Sequence, residues 1–188
     1  MATDERNPRT RRMMFGCLGL FIGMVVAFWI WLGPLLMTAQ KRGFFSPQVK
    51  RKYEGDTMTN LKDIHTALML YQESEGQLPF AESWMDATWR RLQTGDMVEE
   101  EAKKKLKSPS VLQQNPQGFG YAFNDLVSGK YSSDIKDPAK TPLVFDSSDI
   151  TWNAHGNPAQ LAPNPPRPEG NFALTVEGNV VKLESLLK

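Results

Sequence analysis

Hydrophobic positions are most concentrated near the start of the chain, where 25 consecutive residues from Met13 to Met37 carry no charge. A helix needs about 20 apolar residues to cross the hydrocarbon core of a bilayer, so this run predicts a transmembrane helix over residues 13–38. Trp29 and Trp31 stand near its far end, where amphipathic rings suit the headgroup region. A cleaved signal peptide is the alternative, but the run is too long for one and no small-x-small cleavage site follows it.

A short basic tail precedes the apolar run and contains four arginines, Arg6, Arg9, Arg11 and Arg12. Basic residues also follow the run, so a count of positive charges alone does not fix the orientation. Large trailing domains cross membranes with little regard to charge, which lets the short tail decide. The sequence therefore predicts a cytoplasmic tail at 1–12, a linker at 39–47 and one extracytoplasmic domain at 48–188.

Beyond the linker, apolar residues recur every three or four positions, as on one face of a helix. The residues of this stripe are Leu61, Ile64, Leu68 and Tyr71. Pro47 suits a first helical position, and Gly76 followed by Pro79 provides an end. These signals predict one long helix from Pro47 to Glu75 with an apolar face that must be covered.

Two shorter helices are predicted to follow. The first covers about Ser83 to Gln93 and carries two tryptophans. The second covers about Asp96 to Leu106, with glutamates at its front and lysines at its rear, an order that suits the helix dipole. A charge run of this kind usually forms a solvated face.

After Ser108-Pro109 the pattern changes from helical spacing to short alternating segments. The strand candidates are Phe119–Phe123, Leu143–Phe145, Phe172–Val176 and Val180–Val181. The last two flank a Glu-Gly-Asn turn and predict a β-hairpin, whereas the proline-rich residues 158–168 predict an exposed loop. Helices first and strands later, without regular alternation, indicate an α+β fold in which the long helix packs on an antiparallel sheet.

Composition excludes some functions for the outer domain. Once the four arginines and two acids of the tail are set aside, 18 Lys and Arg face 19 Asp and Glu, so the domain is nearly neutral. It lacks the basic field that nucleic-acid binding requires, and we expect no nucleic-acid partner. The single cysteine, Cys17, lies in the apolar run, so the domain has no disulfide and no thiolate metal site.

Several blocks of the outer domain, in order and spacing, resemble one family. The blocks are Asn60–Tyr71 with Gly76 and Leu78-Pro79, Leu106–Ser110, Tyr121–Asn124 and Ile135–Asp146. They resemble the type II secretion pseudopilins and their pilin-like relatives, in particular the branch with a C-terminal His-x9-Asp-Gly domain. Arg167 and Glu177-Gly178 keep the spacing of that signature with other side chains.

The resemblance covers roughly residues 55–185, nearly all of the outer domain. It implies a pilin-like head in a protein of the bacterial inner membrane, with other secretion or pilus-like components, or further copies of the chain, as partners. Pilin-like proteins also carry Glu at the fifth position after the Gly that ends a basic leader, but here the fifth residue after Gly16 is Phe21. We therefore expect a permanently anchored head and not a processed, polymerising subunit.

Calcium is the one cofactor that the resemblance implies, because major pseudopilins bind it through a C-terminal loop of carboxylates and carbonyls. The candidate ligands are Asp134, Asp137, Asp146 and Asp149. Carboxylates are the hard oxygen ligands that calcium prefers, but these four lack the spacing of an EF-hand loop. The alternative interpretation is that they are solvated loop acids.

One group of residues in the sequence could in principle be catalytic. His155 follows closely on Asp146-Ser-Ser-Asp149, which together contain the residue types of a hydrolase. No Gly-x-Ser-x-Gly elbow accompanies the serines, and Asp and Ser also form ordinary turns, so we expect no catalytic residue. His65, at the edge of the helical stripe, is expected to be structural.

The leading hypothesis is a membrane-anchored, pilin-like domain that acts through protein–protein contacts, as an accessory or minor component of a type II secretion or type IV pilus-like apparatus. The alternative is a membrane-anchored domain that binds glycan or another ligand. In that alternative, Trp152, Tyr121 and Phe123 would stack on sugar rings. Aromatic residues at strand spacing are also typical of a protein core.

Overall fold

The computed structural model describes residues 23–34 and 51–187. The chain divides into two compact units, Met1–Gln48 and Val49–Lys188. In the first unit, residues 23–34 are helical and lie within the predicted transmembrane segment; the rest of that segment, the tail at 1–12 and the linker at 39–47 lie outside the described residues. Among the residues described, no helix combines the length and the hydropathy needed to cross a bilayer.

Within residues 51–187, the second unit contains five helices and five strands. The helices are α1 (Thr57–Glu75), α2 (Trp84–Leu92), α3 (Glu99–Lys104), α4 (Pro109–Gln114) and α5 (Pro158–Leu161). The strands are β1 (Tyr121–Asn124), β2 (Pro142–Asp146), β3 (His155–Gly156), β4 (Phe172–Thr175) and β5 (Val180–Lys182). Single 3-10 turns occupy Ala81–Ser83, Asp125–Val127, Ser132–Asp134 and Leu183–Ser185.

The five strands form one sheet in the order β3-β1-β2-β4-β5. Strands β1, β2, β4 and β5 pair antiparallel, which confirms the predicted α+β class. The short β3 pairs parallel with β1, where Phe123 lies opposite His155. This strand was not predicted, because two residues are too few to show an alternating pattern.

Helix α1 begins later than predicted. Residues 51–56 are not helical, and Asp56 caps the helix by accepting a hydrogen bond from the Thr59 amide at 2.7 Å. The prediction of helix over 51–56 was wrong because Asp56 uses its side chain to satisfy a free amide at the helix start. The predicted end is confirmed: Gly76 adopts φ 83°, and its amide donates to the Gln72 carbonyl.

The apolar stripe of α1 packs on the sheet, as predicted. Leu61, Ile64 and Leu68 are fully buried in one cluster with residues of α2, β1, β2 and β4. Tyr71, at the end of the stripe, is only half-buried, and the Arg91 guanidinium lies 4.9 Å from the centre of its ring.

The opposite face of the sheet has a smaller core of its own. It contains Ala122, Phe145, Ala154, Ala173 and Leu183, covered by Leu161, Ala162 and Leu186. The proline-rich segment 158–168 was predicted to be an exposed loop, and it is exposed at its middle. Its first residues instead form α5 and contribute Leu161 to this second core.

The remaining predictions differ from the structure mainly at element ends. α2 confirms the helix predicted at Ser83–Gln93, while α3 is shorter than the predicted Asp96–Leu106. The hairpin of β4 and β5 is confirmed, with Gly178 at φ 100° in the turn. The short helices α4 and α5 were not predicted, since neither has a full turn of apolar periodicity.

Candidate functional site

The most elaborate polar cluster of the domain is centred on Arg167. Its guanidinium Nη1 donates to Asp146 Oδ1 at 2.6 Å and to the Ser108 hydroxyl, and Nη2 donates to the carbonyls of Gly120 at 2.8 Å and Ser147 at 2.7 Å. The other oxygen of Asp146 accepts from the Phe172 amide at 2.7 Å. The cluster therefore ties the proline-rich segment to β1, β2, β4 and the start of α4.

Local structure explains why these groups meet. Asp146 is the last residue of β2, the middle strand of the sheet, and Tyr121 lies opposite it on β1. Arg167 is the single Lys or Arg between Lys140 and Lys182, in a loop whose prolines limit backbone freedom. The Asn171 side chain fixes that loop by accepting from the Arg167 amide at 3.3 Å and donating to the Pro163 carbonyl at 3.0 Å.

The electrostatics of the cluster are dominated by burial. Burial raises the pKa of Asp146 to about 6, although Arg167 and the Phe172 amide oppose the shift. Burial together with the charge of Asp146 also raises the pKa of Tyr121 well above its usual value. The Tyr121 hydroxyl is fully buried and has no hydrogen-bond partner among the described residues.

A small cavity of about 110 Å³ lies beside this cluster. It is lined by Thr57, Pro109, Ser110, Gln113, Asp146, Arg167, Pro168, Glu169 and Gly170. Both terminal nitrogens of Arg167 and both oxygens of Asp146 already have protein partners, so these groups serve first as a cross-link within the fold. Buried polar groups that are fully bonded in this way fix a unique packing.

The hydrolase constellation considered from the sequence does not assemble around His155. His155 Nδ1 lies 2.7 Å from Asp125 Oδ1, a carboxylate that was not considered. Ser147 is buried and accepts from the Asp149 amide at 3.0 Å, while the Ser148 hydroxyl donates to the Leu161 carbonyl at 3.2 Å. The sequence offered little reason to pair Asp125 with His155, because the two lie 30 positions apart and meet only through the parallel pairing of β3 with β1.

The four aspartates proposed as calcium ligands have separate roles. Asp146 is buried against Arg167, Asp149 caps the turn at Thr151, Asp134 is solvent-exposed and Asp137 occupies a turn at φ 51°. Within residues 23–34 and 51–187, no three His, Cys, Asp or Glu side chains are grouped so as to hold a metal ion.

The aromatic residues of the ligand-binding alternative do not form a common surface. Tyr121 and Phe123 are fully buried, and Phe123 stacks on Trp84 with 5.8 Å between ring centres. They are core residues and cannot stack on a sugar. Trp152 is half-buried, packs edge-on against Phe119, and donates from its indole nitrogen to Asp86 at 3.0 Å.

His65 joins α1 to the hairpin. Its Nε2 lies 3.2 Å from the Val176 carbonyl, and its ring lies directly over Gly178. This position agrees with the structural role expected for His65.

Comparison with known proteins identifies no relative: no family model, no curated protein and no solved structure matches this chain.

Proposed function

We propose that this chain is a single-pass membrane protein whose pilin-like domain acts through protein–protein contacts. It would serve as an accessory or minor component of a type II secretion or type IV pilus-like apparatus in the bacterial inner membrane. In this proposal the uncharged run from Met13 to Met37 is the anchor, the tail at 1–12 is cytoplasmic and the domain is extracytoplasmic.

One structural observation carries the proposal. The sequence blocks that resemble pseudopilins fall on the elements that build the core: Asn60–Tyr71 lies in α1, Tyr121–Asn124 is β1, and the block ending at Asp146 contains β2. A long helix that follows an apolar run and packs on an antiparallel sheet is the arrangement that the resemblance implies. The comparisons with known proteins neither add to the proposal nor oppose it.

The surface of the domain supports a role in contacts. Three large apolar side chains are more than half exposed on two neighbouring segments: Phe80 at 57%, Leu126 at 66% and Tyr131 at 52%. Hydrogen bonds from the Leu78 amide to the Lys130 carbonyl and from the Gly129 amide to the Pro79 carbonyl hold the segments together. Exposed apolar side chains on adjoining segments support a role of this surface in protein binding.

The test is made on native membranes and on the protein then purified from them. We expect resistance to extraction by alkaline carbonate, an N-terminus at Met1 or Ala2, and cross-links from the domain to secretion or pilus-like components. Cleavage after Gly16 would replace the permanent anchor with a processed, assembling subunit. Release by carbonate would refute the anchor, and cross-links confined to unrelated proteins would refute the apparatus.

A further inference from the structure

The five residues that lead into α1 are docked on the domain as a separate short segment, residues 51–55, here named the strap. The Arg51 amide donates to the Asp96 carbonyl at 2.7 Å, and its guanidinium lies 2.9 Å from the Asp96 carboxylate. Two residues later, the Tyr53 amide donates to Glu101 Oε2 at 2.7 Å. The strap is therefore held to the loop before α3 and to α3 itself.

The other end of the strap folds back on the start of α1. The Asn60 side-chain amide donates to the Tyr53 hydroxyl at 2.6 Å, and that hydroxyl donates to the Gly55 carbonyl at 3.0 Å. A Cβ atom on Gly55 would lie only 2.6 Å from Asn60 Oδ1 and 2.7 Å from the Tyr53 ring. Any other residue at position 55 would force the Asn60 or Tyr53 side chain of the docked strap to shift.

The Arg51 end of the strap is held by polar contacts near the surface, whereas Tyr53 is bound to the less exposed Glu101 and to the buried Asn60. The Arg51 side chain is 69% exposed and that of Asp96 is 34% exposed. Ion pairs at such positions contribute little and are screened by salt. The Arg51 end of the strap is consequently easier to release than any element that carries the apolar core.

Release would leave α1 free to grow toward the N-terminus. The strap sequence Arg-Lys-Tyr-Glu contains good helix formers, and only Gly55 and the capping Asp56 interrupt the helical pattern from the sequence. A residue that passes from extended chain to helix shortens its span from about 3.3 Å to 1.5 Å. Release and helix growth would therefore change the length of the connection to the preceding chain.

We propose that the strap is a releasable latch. When it is docked, α1 begins at Thr57; when it is released, α1 extends toward the N-terminus through residues 51–56. This is a property of the domain alone and does not depend on membership of a secretion apparatus. Its test and that of the proposed function can therefore fail separately.

The first test compares two glutamates on α3 in the full-length protein, with amide hydrogen exchange as the readout. Glu101→Ala removes the acceptor of the Tyr53 amide, whereas Glu100→Ala removes an exposed neighbour on the same turn. We expect Glu101→Ala to speed exchange at Tyr53 by at least about tenfold with β1 and β2 unchanged, and Glu100→Ala to change neither. Unchanged exchange at Tyr53 in Glu101→Ala, or equal loosening of the strands, would overturn the latch.

The second test uses Gly55→Ala, which opposes the docked strap and favours helix at the same position. We expect faster strap release together with new protection of amides in residues 54–58, since the first amides of the extended helix have no intrahelical acceptor, and a higher helical content by circular dichroism. Unchanged protection of Tyr53 would overturn the latch, because the strap would then stay docked despite the added Cβ. Release without new helical protection would refute the extension of α1.

Discussion

Arg167 and Asp146 lie 21 positions apart in the sequence and form a buried ion pair, with 2.6 Å between Nη1 and Oδ1. Only 10% of the Arg167 side chain and 1% of the Asp146 side chain are exposed. Each charge depends on the other, because a buried charge without a partner is far more costly than a buried pair.

Replacing Arg167 with methionine should strongly destabilise the domain. The variant leaves Asp146 buried without its counter-charge, and we expect the free energy of unfolding at pH 7 to fall by about 3–5 kcal/mol. The loss should be smaller at pH 5, where Asp146 can bind a proton. Urea denaturation measures both values. Lys140→Met, at an exposed position, is the control and should change the free energy of unfolding by less than about 0.5 kcal/mol. An effect of Arg167→Met as small as that of the control would contradict the prediction.

Asp146 should give the stability of the domain a distinctive pH dependence. Its pKa rises from 3.8 to about 6 on folding, so between these values the folded protein binds more protons and stability falls as the pH rises. The shift corresponds to about 3 kcal/mol. We therefore expect the stability of the wild type relative to Asp146→Asn to fall by about that amount between pH 4 and 7.

The comparison with Asp146→Asn isolates this one group. Asp56, Asp96 and Glu101 have lowered pKa values, which make the protein less stable as the pH falls through them, but they are present in both proteins. A difference between the two proteins that stays constant from pH 4 to 7 would mean that Asp146 keeps its ordinary pKa.

Two leucines on α1 test the packing of the helix on the sheet. Leu68 is fully buried, whereas Leu70 on the same helix is 46% exposed. Leu68→Ala should lower the free energy of unfolding by about 2–5 kcal/mol because it leaves a cavity in the core. Leu70→Ala should cost less than about 0.5 kcal/mol. Equal losses in thermal or urea denaturation would mean that α1 presents a different face to the sheet.

Replacing Gly178 should lower the stability of the domain for two separate reasons. Its φ of 100° is unfavourable for other residues, and an added Cβ would lie 2.8 Å from the His65 ring. We expect Gly178→Ala to cost about 1–3 kcal/mol, measured by urea denaturation. Gly95→Ala, where the Cβ would meet nothing within 4 Å, is the matched control.

A double variant separates the two causes. In the His65→Ala background the ring no longer meets the Cβ, so Gly178→Ala should cost less there than in the wild type, while the backbone strain remains. No cost in that background would attribute the whole loss to the ring, and an unchanged cost would attribute it to the backbone.

Local sequence patterns predicted the elements whose buried face, end or turn depends on residues close together in the chain. The spacing of Leu61, Ile64 and Leu68 gave the buried face of α1, and Gly76 gave its end. Alternation around a Glu-Gly-Asn turn gave the β4–β5 hairpin. The start of α1 was placed too early because Asp56 and the strap contacts with Asp96 and Glu101 outweigh the helix propensity of residues 51–54.

The candidate sites were predicted less well than the elements. Asp146 was considered as a calcium ligand and as part of a hydrolase, and Arg167 only as a changed signature position. Their pairing requires the proline-rich segment to cross the end of β2, and no local pattern specifies that crossing. His155 was predicted to lie in a loop, which was wrong because it belongs to the short strand β3, and its partner Asp125 comes from just beyond β1.

By itself, the sequence determined the 25-residue uncharged run, the α+β class, the apolar face of α1 and the hairpin, because each depends on residues close together in the chain. The tertiary structure alone decided the parallel strand β3, the docked strap and the Arg167–Asp146 pair. Those features join residues 21 to 48 positions apart, whose contacts form only when the sheet and its covering segments are assembled.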